Sequence, residues 1–233
     1  MIHSCEDLER TVQEMGFLPF FKNNIEGFSI EEMTPESLWF SDEQDGPWEW
    51  KGPVIRNGNC AYGKLFRGKA GYVSLEWYPE FLNLRRAHYH LTEAENKVYN
   101  TLVTQESLLS KELKKMCGFK RTIARSRNPI DSLIKTPIPH DRHSEGFETI
   151  MTRLQMHAYV VIADFEYQYT ADGKRYGWGI ARYTTPEALF DKEVALKCNN
   201  HTPEESLKRL QDYLTRLLPQ ASEAQIMDFL NQK

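Results

Sequence analysis

Gln155 and His157 are the side chains of this sequence best placed to do chemistry. They stand two residues apart in Leu154-Gln155-Met156-His157. An amide can orient a water molecule, and an imidazole takes up or gives off a proton near neutral pH. The pair falls where two sequence patterns meet. Upstream, Phe147, Ile150, Met151 and Leu154 recur at i, i+3, i+4 and i+7, one apolar face of a helix. Downstream, Tyr159 to Tyr169 and Arg175 to Tyr183 flank Asp172-Gly173, a hairpin signal. A helix-to-hairpin junction holds side chains rigidly near one face of a fold. The pair either faces outward as a reactive site or turns inward to hydrogen-bond the junction backbone.

Other constellations carry less. His88-Tyr89-His90 has a spacing that metals use, but no Cys or Asp stands beside it, so it reads as a surface pair. His140 and His143 flank Asp141 in a proline-rich stretch, which reads as a loop. Arg67-Gly68-Lys69 lacks the P-loop pattern and reads as a tight turn between strands. Trp39, Trp48, Trp50 and Trp77 are of a type that stacks bases, yet packing of a small N-terminal core explains them as well. No metal site and no cofactor is expected.

The elements that must position Gln155 and His157 follow from caps and periodicity. Ser4 and Asp7 open a helix over residues 5–15, which Gly16 ends. Thr34-Pro35-Glu36 is a helix start. Trp48 to Pro53 and Tyr62 to Val73 read as short strands joined by glycine turns. Ser74 caps a helix to about Arg86, with Arg85 and Arg86 at the end that suits cations. Thr92 and Glu95 form a capping box for residues 92–104, and residues 107–117 form the next helix, stopped by Gly118. Thr185-Pro186-Glu187 opens a short helix. Helical patterns also start at Thr202, with Leu207, Leu210, Leu214 and Leu217, and run from Ser222 to Leu230.

From residue 92 to 186 the order is therefore helix, helix, basic insertion, helix and two-stranded wing. That is α+β, a winged-helix module with a long insertion before its third helix. It is flanked by an N-terminal Trp/Gly-rich part and C-terminal helices. The expected division is 1–90 for the N-terminal part and 91–233 for the winged-helix domain.

Bulk properties narrow the class. With 233 residues, 40% hydrophobic and 27% charged, the chain can bury a real core. No apolar run approaches a membrane span, and the N-terminus lacks the basic and apolar regions of a signal peptide. Cys5, Cys60, Cys117 and Cys198 are scattered, which fits a reducing, cytoplasmic compartment. Charge is uneven. Residues 1–55 carry 3 Lys/Arg against 12 Asp/Glu, and residues 56–198 carry 22 against 16. The basic excess peaks over residues 119–143, which hold Lys120, Arg121, Arg125, Arg127, Lys135 and Arg142. That stretch is either a solvated loop or a phosphate-facing patch.

Leu154-Gln155-Met156-His157, followed by Val160-Val161, resembles the Leu-Gln-Ile-Asp segment of the AlkZ/YcaQ winged-helix DNA glycosylases. The chain as a whole resembles the shorter bacterial AlkZ-related proteins over roughly residues 36–230. That likeness runs through Trp48-Glu49-Trp50-Lys51-Gly52 and Arg67-Gly68-Lys69-Ala70-Gly71. It implies excision of alkylated or crosslinked bases, with Gln155 as the first catalytic glutamine and His157 in the place of Gln or Asp. It also implies double-stranded DNA as partner. Arg121, Arg125 and Arg127, with Lys174 and Arg175 at the hairpin tip, are then the expected DNA contacts. Glu145 and Glu148 make groove entry by the third helix's first turn unfavourable. A second reading keeps the scaffold as a non-catalytic interaction module, whose acidic N-terminal part meets a protein partner.

Overall fold

The computed structural model describes residues 1–41, 43–119, 145–173, 175–190 and 200–230. It is an α+β molecule with two small antiparallel sheets. The first half opens with α1 (Cys5–Met15), capped as expected by the Ser4 hydroxyl accepting from the Asp7 N–H at 3.1 Å. Next come β1 (Phe17–Pro19), α2 (Ile30–Met33), a 3-10 turn (Glu36–Leu38) and α3 (Pro47–Arg56). The hairpin β2 (Cys60–Phe66) and β3 (Lys69–Ser74) follows, and then α4 (Tyr78–Arg86). The sheet order is β1-β3-β2, with Phe17 opposite Val73 and Tyr62 opposite Tyr72. Arg67 and Gly68 make the hairpin turn, both at positive φ (50° and 78°), as a two-residue turn with the right twist requires.

Residues 48–53 depart from the expected strand. They lie inside α3, because Pro47 takes the first helical position and the Glu49 carboxylate accepts the Gly46 N–H at 3.1 Å. Trp50 and Val54, four apart, then share the buried face. Trp39 and Trp50 are buried, and Trp48 packs on Phe20 at 5.2 Å, so this aromatic cluster builds core. Two other boundaries shift. The helix expected from Ser74 begins at Tyr78, and residues 107–109 are strand before they become helix.

The second half runs α5 (Glu93–Gln105), β4 (Ser107–Leu109), α6 (Ser110–Met116), α7 (Phe147–Met156), β5 (Val161–Tyr169), β6 (Arg175–Thr184) and α8 (Pro186–Leu189). Its sheet order is β4-β6-β5, so the strand after the first helix pairs with the far strand of the hairpin. Thr92 and Glu95 cap α5 reciprocally. On α7 the buried face is Phe147, Ile150, Met151 and Leu154, the four residues whose spacing marks it in the sequence. The tail adds α9 (Pro203–Leu217) and α10 (Glu223–Phe229). Helix α9 lies against α4, where buried Glu80 accepts from Ser206 Oγ at 2.6 Å and from Arg209 Nε at 2.8 Å.

Two apolar cores result, and each draws on both sides of residue 90. Leu8, Trp50 and Tyr62 share one with Val98, Ile150 and Leu154. Phe17, Tyr78 and Phe81 share the other with Leu210, Leu214 and Ile226. Among the described residues, no helix is long and apolar enough to cross a membrane.

Gly46 and Gly27 offer a paired test of packing. A Cβ on Gly46 would lie 1.8 Å from the Leu38 carbonyl oxygen, whereas one on Gly27, at φ +72°, would meet nothing within 4 Å. Gly46→Ala is expected to cost about 3 kcal/mol by overpacking, and Gly27→Ala about 1 kcal/mol of backbone strain alone. Urea unfolding midpoints of the two variants check the difference.

Candidate functional site

The junction after α7 is built from backbone first. His157 caps the helix, and Ala158 turns left-handed at φ +55°. The Tyr159 N–H reaches back to the Leu154 carbonyl at 2.9 Å and the Ala158 N–H to the Gln155 carbonyl at 3.0 Å, a Schellman closure made without glycine. A left-handed alanine costs about 1 kcal/mol, and Arg86 holds it from outside. Its Nη2 and Nε donate to the Ala158 carbonyl at 2.7 and 3.2 Å, and Glu187 pairs with Nη1.

This closure sends the two polar side chains apart. Gln155 is 1% exposed and points inward. Its Nε2 donates to the Met151 carbonyl at 2.9 Å, and its Oε1 accepts the Lys64 N–H of β2 at 3.0 Å. Gly63 makes room for that amide, since a Cβ there would stand 3.1 Å from Oε1. His157 is half-buried and lines a cleft of about 710 Å³. Its Nδ1 lies 3.2 Å from the Arg85 carbonyl oxygen. A carbonyl can only accept, so Nδ1 carries the proton and the neutral ring keeps its free lone pair on Nε2. Burial lowers the His157 pKa below the ordinary imidazole value, against a smaller upward pull from that hydrogen bond.

Tyr89 fixes the ring. The two rings stack with centroids 3.5 Å apart and planes 10° from parallel. The Tyr89 hydroxyl donates to Glu95 Oε1 at 2.7 Å, which, after burial, pushes its own pKa up to about 12. Glu95 is fully buried and also accepts from Arg153 Nε at 2.5 Å and from the Thr92 N–H at 2.9 Å. Arg153 reaches on to Glu145, so that acid is held in an ion pair. A chain of satisfied groups thus supports the imidazole from behind.

Arg85, which the cleft also meets, is 5% exposed. Arg85 and Arg86 lie in the last turn of α4, as expected, and each makes a further contact. Arg86 clamps the junction, and Arg85 lies over the Phe81 ring at 4.7 Å. Arg67 and Asp228 form an ion pair at the cleft, and a second cavity of about 310 Å³ meets the same two residues. His88 lines the cleft too, and no group of three metal-binding side chains occurs among the described residues.

Of the expected site residues, His157 therefore reaches the cleft and Gln155 stands behind it. Arg121, Arg125, Arg127 and Lys174 lie outside the described residues. Arg175 opens β6 opposite Tyr169. Tyr89 and Arg85 were missed as site residues. Their positions on either side of a helix end carried no signal of which would face a cavity.

A family model described as AlkZ related matches residues 2–231, nearly the whole chain. No curated protein and no solved structure matches the chain significantly.

Two outcomes follow from the geometry. Gln155→Leu leaves the Lys64 N–H without a partner, and should cost about 2 kcal/mol in urea unfolding. His157 should titrate below 6.5 by NMR. A histidine whose folded pKa is depressed is protonated first in the unfolded chain. Its contribution is thus complete above pH 6.5 and shrinks as pH falls through the window beneath it. His157→Gln should remove that share of the acid sensitivity.

Proposed function

The chain belongs to the AlkZ-related family, and from that premise we propose that it binds DNA and admits a damaged nucleotide to the cleft beside His157. Residues from α5 to β6 then act as a winged-helix unit. The order helix, strand, helix, helix, hairpin, with sheet order β4-β6-β5, supports this reading. The stretch between α6 and α7 is its insertion. Arg121, Arg125, Arg127, Lys174 and Arg175 are the proposed phosphate contacts, and the N-terminus of α7 stays out of the groove because Glu148 is exposed there.

The observation that carries a hydrolytic reading is the state of His157. Breaking an N-glycosidic bond passes through an oxocarbenium-like state and needs a placed water. A ring whose Nδ1–H is tied to the Arg85 carbonyl offers Nε2 as the base for that water. Its lowered pKa keeps it neutral at pH 7, so it does not repel the cation that forms. Gln155 is then a positioning residue, which fixes the end of α7 and with it His157.

The non-catalytic alternative also has an observation in its favour. The Gln155 amide is sealed and bonded at both ends, so it meets no substrate in this arrangement. An interaction module that kept the scaffold, with the acidic residues 1–55 toward a protein partner, accounts for that.

A salt-titrated binding assay on duplex and abasic DNA, followed by a lesion panel, separates them. If all five cations meet phosphates, log K should fall with log salt at a slope of about −4.5. His157→Ala should retain that slope and lose base release. A flat salt dependence rejects DNA binding, and intact binding with no release from any lesion rejects the hydrolase.

A further inference from the structure

Arg85 is a buried cation with no counter-charge among the described residues. Of its nitrogens, Nη2 makes one long bond to the Leu65 carbonyl at 3.4 Å, and Nε is sealed with no partner at all. Nη1 makes no hydrogen bond among the described residues, and no acidic group pairs with the guanidinium there. Its neighbours behave differently. Arg86 has Glu187 and Arg153 has Glu95 and Glu145. The acids that line the same cleft are otherwise placed. Asp228 pairs with Arg67, and Glu204 is exposed.

A guanidinium with five donors, held out of water with one weak bond, is destabilising unless something completes it. Burial alone pulls its pKa down to about 9, which agrees with the lack of a carboxylate beside it. Arg85 does not face an inert interior, since it lines the 710 Å³ cleft with His157 and His88. Space, an unsatisfied fork donor and low surrounding dielectric coincide at one place. Such a fork fits the tetrahedral oxygens of a phosphate group, which accept charge-assisted bonds from planar donors.

We infer that the cleft is a binding site for a phosphate group, with Arg85 as its anchor, His88 and Arg67 as neighbouring donor groups, and His157 beside the ligand. This rests on the proposed function only in using the same cleft; it needs neither base excision nor the winged helix. A buried anchor of this kind recognises one phosphate in a pocket, whereas the five cations proposed above would track a backbone.

The test uses the full chain and titration calorimetry at low ionic strength. The probes are inorganic phosphate, a deoxynucleoside 5′-monophosphate and the unphosphorylated deoxynucleoside. The native protein should bind the first two and not the third. Tighter binding of the monophosphate than of phosphate assigns the site to a nucleotide, and equal binding assigns it to free phosphate. Arg85→Met should weaken phosphate binding about tenfold to a hundredfold. It should fold at least as stably as the native chain, because it removes an unpaired buried charge. Phosphate should raise the Tm of the native protein and leave that of Arg85→Met unmoved. Should the methionine variant fail to fold, Arg85→Lys decides, since it keeps the charge and loses the fork. Undiminished phosphate affinity in either folded variant, or no phosphate binding by the native protein, overturns the inference. A protein that binds phosphate through Arg85 but releases no base sinks the hydrolase reading and leaves this one standing.

Discussion

The amide of Gln155 is the interaction on which the arrangement of the site depends. It joins α7 to the backbone of β2 across 91 positions of sequence, with one end on Met151 of its own helix and the other on the Lys64 N–H. In water such an amide would exchange partners freely. Sealed inside, it has only these two, and losing either leaves a desolvated polar group. The end of α7 is therefore fixed in rotation and height against the first sheet. The Schellman closure begins from that fixed point, Arg86 holds its left-handed alanine, and His157 emerges on the cleft side as a consequence. The residue most easily read as a reacting group is, in its contacts, the one that aims its neighbour.

Electrostatics around the junction depend on which arginines find acids. Three of them lie within a short reach of α7, and each meets a different fate. Arg153 is saturated by Glu95 and Glu145, and Arg86 by Glu187 and a carbonyl. Among the described residues, Arg85 alone of the three has no acid, and its one hydrogen bond is the long one from Nη2 to the Leu65 carbonyl. The net charge of −4 says nothing of this, because it sums over the whole sequence and does not record which acid stands beside which arginine. In a low-dielectric cleft one unbalanced guanidinium outweighs many screened surface acids.

Much of the frame was legible in the sequence, and the reasons are local. The apolar spacing of Phe147 to Leu154, the Thr92–Glu95 box and the Asp172-Gly173 turn each depend on residues within a few positions of one another. The errors came where local signals conflict or long-range contacts decide. Gly52 and Pro53 argue against a helix, yet α3 forms because Pro47, Glu49 and the buried Trp50–Val54 face agree on one. Leu109, Leu113 and Met116 keep helical spacing, yet residues 107–109 pair with β6. The site was half legible. The junction singles out positions 155 and 157, but which one turns inward depends on Gly63 and Lys64 of a strand read as a separate part. Arg85 looks like an ordinary cation at a helix end, and only the contacts with Phe81 and the Leu65 carbonyl show that it is drawn inward.

The histidine at 157, where the resembling glycosylases have Gln or Asp, is intelligible from this frame. The partner presented to that side chain is the Arg85 carbonyl, an acceptor. A carboxylate there would set acceptor against acceptor and leave both desolvated, whereas an imidazole donates from Nδ1 and keeps a second nitrogen for the cleft. A glutamine could donate as well, but it has no flat ring to lie on Tyr89 at 3.5 Å and no proton to exchange near neutral pH. The unpaired charge of Arg85 would tolerate an anionic side chain at 157, and the backbone geometry would not. The carbonyl, the tyrosine and the buried amide together restrict this position more tightly than electrostatics does. The same restriction makes the ring a base of fixed orientation, whatever ligand the cleft receives.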